Sequence, residues 1–142
     1  MIIEVLKQIN WLSVVVATLA YFALGAIWYS LLFQKQWIRY QGISIEDMSK
    51  PDAKKGLGTI MLASFVVTFI VSIGLAMLSE YMSLTSLHHG IHLGLITGIC
   101  FAATSIAINM LYEKKPMGLF LINAGYQVIG TLIAAIIIVC WR

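Results

Sequence analysis

The chain has 142 residues, of which 61% are hydrophobic and 11% are charged, and its mean hydropathy is +0.93. A soluble domain carries about 45–50% apolar and about 25% charged residues, so a soluble fold of this length would leave a large apolar surface in water. The nine Lys and Arg against six Asp and Glu make the chain only mildly basic, which excludes a nucleic-acid binder with a clustered basic face. Composition therefore predicts an integral membrane protein.

Four uncharged runs lie between the charged residues, and each exceeds the ~20 residues that a helix needs to cross the hydrocarbon core. Within each run, apolar residues occupy all sides of the helix and do not show the period of two that marks a transmembrane β-strand. The sequence predicts an all-α fold: a four-helix transmembrane bundle with antiparallel up-and-down connections, forming a single integral membrane domain over residues 1–142. The predicted spans are residues 11–33, 57–78, 91–112 and 118–141.

The loop between the first two predicted spans, residues 34–56, is the only connection with room for structure outside the bilayer. Ser44 followed by Glu46 and Asp47 is typical of a helix N-cap with acidic residues in the first turn, so we expect a short surface helix here. Two interpretations stay open. The helix binds anionic lipid or a partner, or the loop is a solvated linker that follows the positive-inside rule.

The distribution of Lys and Arg predicts the orientation of the chain in the membrane. Seven of the nine lie in the first and third loops, and only Lys7 and Arg142 lie on the opposite side. The first and third loops are therefore predicted to face the cytoplasm and both termini to lie outside. In a bacterium, this corresponds to the cytoplasmic (inner) membrane with periplasmic termini.

Small and polar residues recur every four positions along the spans, and such stripes allow helices to pack closely in lipid. They favour packing within one chain. A homo-oligomer through the third-span glycines and a path for a small molecule or ion are the alternatives. The stripe residues are Ser64, Thr68 and Ser72 in the second span and Gly90, Gly94, Gly98 and Ala102 in the third.

Three side-chain amides, Asn109, Asn123 and Gln127, lie within the predicted spans, where an amide that faces lipid is costly without a partner. Because only a short turn joins the last two spans, we expect Asn109 to meet Asn123 across it as a structural clamp. A polar ligand pocket is the alternative, and the hydroxyl groups that would join it are those of Tyr29, Ser30 and Tyr126.

Features of a metal site or of an enzyme are weak in this sequence. His88, His89 and His92 cluster at the outer end of the third span, and Glu80 would be a third ligand beside His88 and His92. Because Gly90 interrupts the cluster and no second motif anchors it, we expect interfacial polar residues here and no cofactor. A proton-coupled transporter requires an ionisable residue inside the membrane, and no predicted span contains a charged residue. No catalytic motif occurs.

The end of the first span carries a continuous aromatic face beside a small residue: Gly25, Trp28, Tyr29 and Ser30, then Phe33 and Trp37. Together with Asn10-Trp11 and the stretch 120–126, this motif resembles a bacterial membrane family known as domain of unknown function 1761. The resemblance implies four spans and a membrane location, and it implies no activity. It marks Gly25, Trp28, Tyr29, Ser30, Trp37, Asn123 and Tyr126 as the residues that matter most. Family members often carry His after the last Tyr, where this chain has Gln127.

The sequence thus predicts a non-enzymatic membrane protein that lies in the lipid bilayer and forms a homo-oligomer or binds another membrane protein. The alternative is a facilitator or small channel for a neutral or hydrophobic solute, lined by Asn109, Asn123, Tyr126 and Gln127. No nucleic-acid partner is expected.

The predicted orientation is testable by cysteine labelling. A Ser86→Cys variant should react with a membrane-impermeant maleimide in intact cells, because the loop between the second and third spans lies outside in this topology. Labelling of position 86 only after the membrane has been permeabilised would contradict the orientation.

Overall fold

The computed structural model describes residues 1–142, and the chain is helical without any strand. Four helices are long and apolar enough to cross a membrane: the first span Trp11–Leu32, the second span Pro51–Tyr81, the third span Leu87–Tyr112 and the fourth span Met117–Cys140. Three shorter helices accompany them, Ile2–Gln8, Gln34–Gln41 and Ile45–Met48. The protein is a multi-pass membrane protein of the all-α class.

Side-chain caps and prolines define where the helices begin. Asn10 accepts hydrogen bonds from the amides of Leu12 and Ser13 at the start of the first span, and Ser86 caps the third span. Pro51 occupies the first turn of the second span. The second and third spans therefore begin six and four residues earlier than the apolar runs alone predicted, because helical hydrogen bonding continues outward to the nearest cap.

The loop after the first span is mostly helical. Gln34–Gln41 ends at Gly42, whose φ of +69° lies in the left-handed region, and Ser44 caps Ile45–Met48 by accepting from the Asp47 amide at 3.2 Å. Lys50 Nζ donates to Asp47 Oδ1 at 2.7 Å, and this bond, with the Ser44 contact, holds the pKa of Asp47 below its usual value. The predicted capped helix is present, and it is exposed.

The fourth span is the centre of the bundle. It packs against each of the other three spans, whereas the third span makes no extended contact with the first or the second. Along the third span, Gly90 and Gly94 lie beside Ile136 and Leu132, so residue numbers rise on one helix as they fall on the other. The third and fourth spans therefore run in opposite directions.

The buried core lies in the half of the bundle that contains both termini. It joins Val14, Ala17 and Tyr21 of the first span to Leu75 and Ala76 of the second. The fourth span contributes Ala134, Ala135, Ile138 and Val139. In the other half, which we call the inner half, residues 51–64 of the second span are exposed on every side. Thr68 and Ser72 are buried, but Ser64, one turn earlier on the same stripe, is not.

The third-span glycines pack inside the chain. A Cβ at Gly94 would lie 2.5 Å from the Leu132 Cα, and one at Gly98 would lie 2.5 Å from the Thr131 hydroxyl oxygen. The Thr131 hydroxyl also donates to the Gly94 carbonyl at 3.1 Å. The fourth span of the same chain covers these glycines, so the stripe packs within one chain, as the favoured interpretation expects, and it leaves little of their surface for a second copy. Ala102, further along, is half-buried.

Replacing these glycines should destabilise the fold. Gly94→Ala places a methyl group against backbone that cannot move aside, and we expect the free energy of unfolding to fall by about 1–3 kcal/mol. Denaturant titration of the purified protein in detergent measures the loss. Gly74→Ala is the matched control, because a Cβ there meets nothing within 4 Å. Alanine also favours a helix over glycine by up to about 1 kcal/mol, so this variant should be unchanged or slightly more stable. Equal losses in the two variants would contradict close packing at Gly94.

Candidate functional site

A π-helical segment, Trp28–Leu32, ends the first span. The amide of Phe33 donates to the Trp28 carbonyl at 2.9 Å, five residues back, so this turn is wider than an α-helical one. A wider turn changes the direction of the side chains on it. Trp28 and Tyr29 lie in this segment, and both reach the fourth span.

Three side-chain hydrogen bonds join the first span to the fourth. The Trp28 indole donates to the Ile122 carbonyl at 2.9 Å, the Tyr29 hydroxyl donates to Asn123 Oδ1 at 2.9 Å, and the Tyr21 hydroxyl donates to Gln127 Oε1. Two of these bonds use the amide oxygens of the fourth span. Two of the three amides that the sequence marked as costly in lipid, Asn123 and Gln127, therefore receive partners from tyrosines of the first span.

Large rings also fit against glycines across the same two helices. The pairs are Tyr21 with Gly130, Trp28 with Gly125 and Tyr126 with Gly25. A Cβ at Gly25 would lie 3.0 Å from the Tyr126 hydroxyl oxygen, and one at Gly125 would lie 3.1 Å from the Trp28 ring. The Tyr126 ring stands between those of Tyr21 and Tyr29, with centroid distances of 5.4 and 5.3 Å. We call this set of hydrogen bonds and ring–glycine contacts the joint.

The helix Gln34–Gln41 extends the joint outside the spans. Its Ile38 side chain is buried, and its Tyr40 ring lies against Gly118 near the start of the fourth span. Trp37 contacts the Tyr29 ring edge-on at a centroid distance of 6.1 Å. The aromatic face that the sequence suggested for a contact surface thus closes on the fourth span of the same chain.

Two residues assigned to the site by sequence lie elsewhere. Ser30 is exposed, and no hydrogen bond involves its side chain. Asn109 is also exposed and does not reach Asn123, so the expected clamp between these two amides is wrong. Met110, the next residue after Asn109, is buried instead. One residue along a helix rotates the side chain by about 100°, which turns Asn109 away from the fourth span.

The joint also includes Tyr21, Gly125 and Gly130, which the sequence argument left out of the site. Tyr21 precedes Gly25 and Tyr29 at four-residue intervals, and this helical spacing is the signal that would have included it. Gly130 shares a strip of the fourth span with Gly118, Tyr126 and Ala134, but nothing in the sequence shows which ring it or Gly125 faces.

At the joint, the Trp28 indole and the hydroxyls of Tyr21 and Tyr29 are hydrogen-bonded. The Tyr126 hydroxyl and the amide nitrogens of Asn123 and Gln127 make no hydrogen bond within the chain. Over the whole chain, the one fully buried side-chain oxygen or nitrogen without a hydrogen-bond partner is Ser79 Oγ, at the opposite end of the bundle. An open cavity of about 300 Å³ lies where the third span meets the fourth at the inner end, and none of the joint residues named above lines it. The arrangement at the joint suits the rigid docking of two helices.

The histidine cluster lacks the third ligand that the sequence considered. The rings of His88 and His92 are 4.1 Å apart, and all three histidines are exposed. Glu80 instead pairs with Arg142, whose Nε donates to Glu80 Oε1 at 3.0 Å. No group of three His, Cys, Asp or Glu side chains is close enough to hold one metal ion.

Comparison with known protein families finds one match. The family model described as "Protein of unknown function (DUF1761)" matches residues 12–139, which include the whole joint and all of the four spans except the first residue of the first and the last residue of the fourth. The chain belongs to the DUF1761 family. The resemblance seen in the sequence is confirmed, and no curated protein and no solved structure matches the chain. The joint lies within the region that the family model matches, and the description of the family names no activity.

The hydrogen bonds of the joint predict a measurable coupling. Tyr29→Phe leaves the Asn123 oxygen without its partner, and hydrogen bonds between membrane helices contribute on average about 0.6 kcal/mol and at most about 1.7 kcal/mol. We expect a loss of stability in that range, and a double-mutant cycle with Asn123→Ala should assign most of it to this pair. Tyr112→Phe is the matched control, because Tyr112 is 87% exposed and its hydroxyl makes no hydrogen bond. Additive losses at Tyr29 and Asn123 would contradict the coupling.

Proposed function

We propose that this DUF1761 protein is a non-catalytic membrane protein that pairs with a second copy of itself in the plane of the bilayer. In the proposed topology it lies in a bacterial cytoplasmic membrane with both termini outside, as the distribution of Lys and Arg favours. The observation that carries the proposal is the exposed inner half of the second span. We call residues 51–67 of that helix the open flank.

The open flank continues a stripe that is used for packing elsewhere on the same helix. Thr68 and Ser72 of this stripe are buried in the bundle, and Ser64 is the first residue of it that no other span covers. In lipid, helices associate through close contacts of small residues and through hydrogen bonds, since apolar area alone gives no driving force. Ala63 beside Ser64 is also small and exposed, so a second helix can approach closely here.

A second copy suits the open flank because a two-fold interface uses the same patch on both partners. The flank brings its own small and polar residues to each side of such a contact. Ser64 can then hydrogen-bond across the two-fold axis, which lipid cannot provide.

The hydrogen bonds of the joint count against the alternative function, the passage of a solute. A facilitator needs a continuous polar path, whereas the oxygens of Asn123 and Gln127 accept hydrogen bonds from Tyr29 and Tyr21. Asn109, the third amide assigned to such a path, lies on the exposed face of the third span. These oxygens thus hold two helices together, and the three amides do not line one continuous path.

Cysteine cross-linking in native membranes tests this association. The background replaces the two free cysteines, Cys100→Ser and Cys140→Ser, and Ser64→Cys is then added. We expect a cross-linked dimer on mild oxidation or with a short bis-maleimide, and a detergent-corrected mass of twice the chain.

Ala23→Cys is the matched control for this experiment. Ala23 is exposed on the first span at nearly the same depth, because the adjacent Phe22 ring contacts the Phe65 ring of the second span at 5.7 Å. Cross-linking of position 64 but not of position 23 supports the proposal. Equal yields at the two positions, or a monomeric mass together with no cross-link at position 64, would overturn it.

A further inference from the structure

The turn between the third and fourth spans holds two lysines in a defined place. The amides of Lys114 and Lys115 donate to the carbonyls of Leu111 and Met110 at 3.3 and 3.0 Å, which closes the end of the third span as a Schellman turn. Lys114 takes the left-handed conformation in this turn, with φ of +53°. Both side chains are exposed, so two ammonium groups stand at the end of the hairpin.

A cavity of about 300 Å³ opens directly beside these lysines. Five of its seven lining residues are hydrophobic, among them Ala107 and Leu111 of the third span and Phe120 of the fourth. The other two are Lys114 and Lys115. Glu113, the one acidic residue of the turn, does not line it.

The position of the cavity relative to the bilayer determines what chemistry fits it. The uncharged run of the third span ends at Tyr112 and that of the fourth begins after Lys115, so the lysines lie at the membrane boundary and the apolar walls lie on the membrane side. A ligand that satisfies both parts has an anionic head group and an apolar chain. Basic pockets between membrane helices hold anionic lipid head groups by this combination.

We propose that this cavity binds one anionic phospholipid. Its phosphate lies between the Lys114 and Lys115 ammonium groups, and one acyl chain follows the wall formed by Ala107, Leu111 and Phe120. The orientation inferred from the Lys and Arg distribution turns this end toward the cytoplasm, where anionic lipids attract basic residues at the boundary. The site is separate from the open flank, so it does not depend on the proposed dimer.

Lipid titration of the purified protein followed by native mass spectrometry tests the site. Dioleoyl phosphatidylglycerol should bind with a saturable first equivalent, and dioleoyl phosphatidylcholine should not. A Lys114→Gln, Lys115→Gln variant should bind phosphatidylglycerol about 30-fold more weakly, as follows from about 1 kcal/mol per lysine at an anionic surface. The matched control is Lys35→Gln, Arg39→Gln, which removes the same charge from two exposed side chains outside both the cavity and the open flank. This control should bind within threefold of the unmodified chain.

The apolar wall requires a separate variant. Leu111 is 77% exposed, so Leu111→Asn leaves the packing of the helices intact while it makes the wall polar. We expect weaker phosphatidylglycerol binding in this variant, with an unchanged unfolding temperature. Soluble glycerol phosphate, which has the head group without chains, should fail to displace the lipid at millimolar concentration.

Three outcomes would overturn the proposal. Equal weakening by the Lys114, Lys115 variant and by the Lys35, Arg39 control would indicate diffuse attraction to the whole basic side. Equal binding of phosphatidylcholine, or displacement of the lipid by glycerol phosphate, would show a site without the proposed head-group or chain recognition.

Discussion

The structure depends on the fit of aromatic rings against glycine backbone between the first and fourth spans. Tyr126 lies on Gly25, and Tyr21 and Trp28 lie on glycines of the fourth span. Two helices in lipid gain no hydrophobic free energy from meeting, so their association rests on close contact and on hydrogen bonds. A glycine opposite each ring allows the ring to reach the partner helix, and it brings the tyrosine hydroxyls within hydrogen-bonding distance of the amides.

The central position of the fourth span follows from this joint. One side of that helix holds the rings of the first span, another receives the third-span glycines, and the second span covers the end nearest the termini. The third span is thereby held on the far side of the fourth, where it cannot cover the second span. The open flank and the cavity at the hairpin are the two surfaces that this asymmetric arrangement leaves at the inner end, and the two proposals concern these surfaces.

Much of the fold was predictable from the sequence, but only part of the site was. The spans follow from the lengths of the uncharged runs, and the capped helix after Ser44 follows from local side-chain chemistry. Of the candidate site residues, Gly25, Trp28, Tyr29, Asn123, Tyr126 and Gln127 come together at the joint, with Trp37 against it. The sequence missed two π-helical segments, Trp28–Leu32 in the first span and Ile96–Ala103 in the third. An extra residue in a turn leaves the apolar pattern almost unchanged while it changes the direction of the following side chains.

The sequence by itself determined the membrane class, the number of spans and the family, since these depend on composition, run length and local motifs. Only the tertiary structure decided which helix covers each stripe. Gly94 and Gly98 allow close packing by any helix, and the fourth span packs against them because a short turn joins it to the third span. Asn109 and Met110 are equally compatible with an inward position until the crossing of the two helices selects one. A stripe specifies a face of a helix, but the identity of the neighbour depends on how all four helices share the limited surface of the central one.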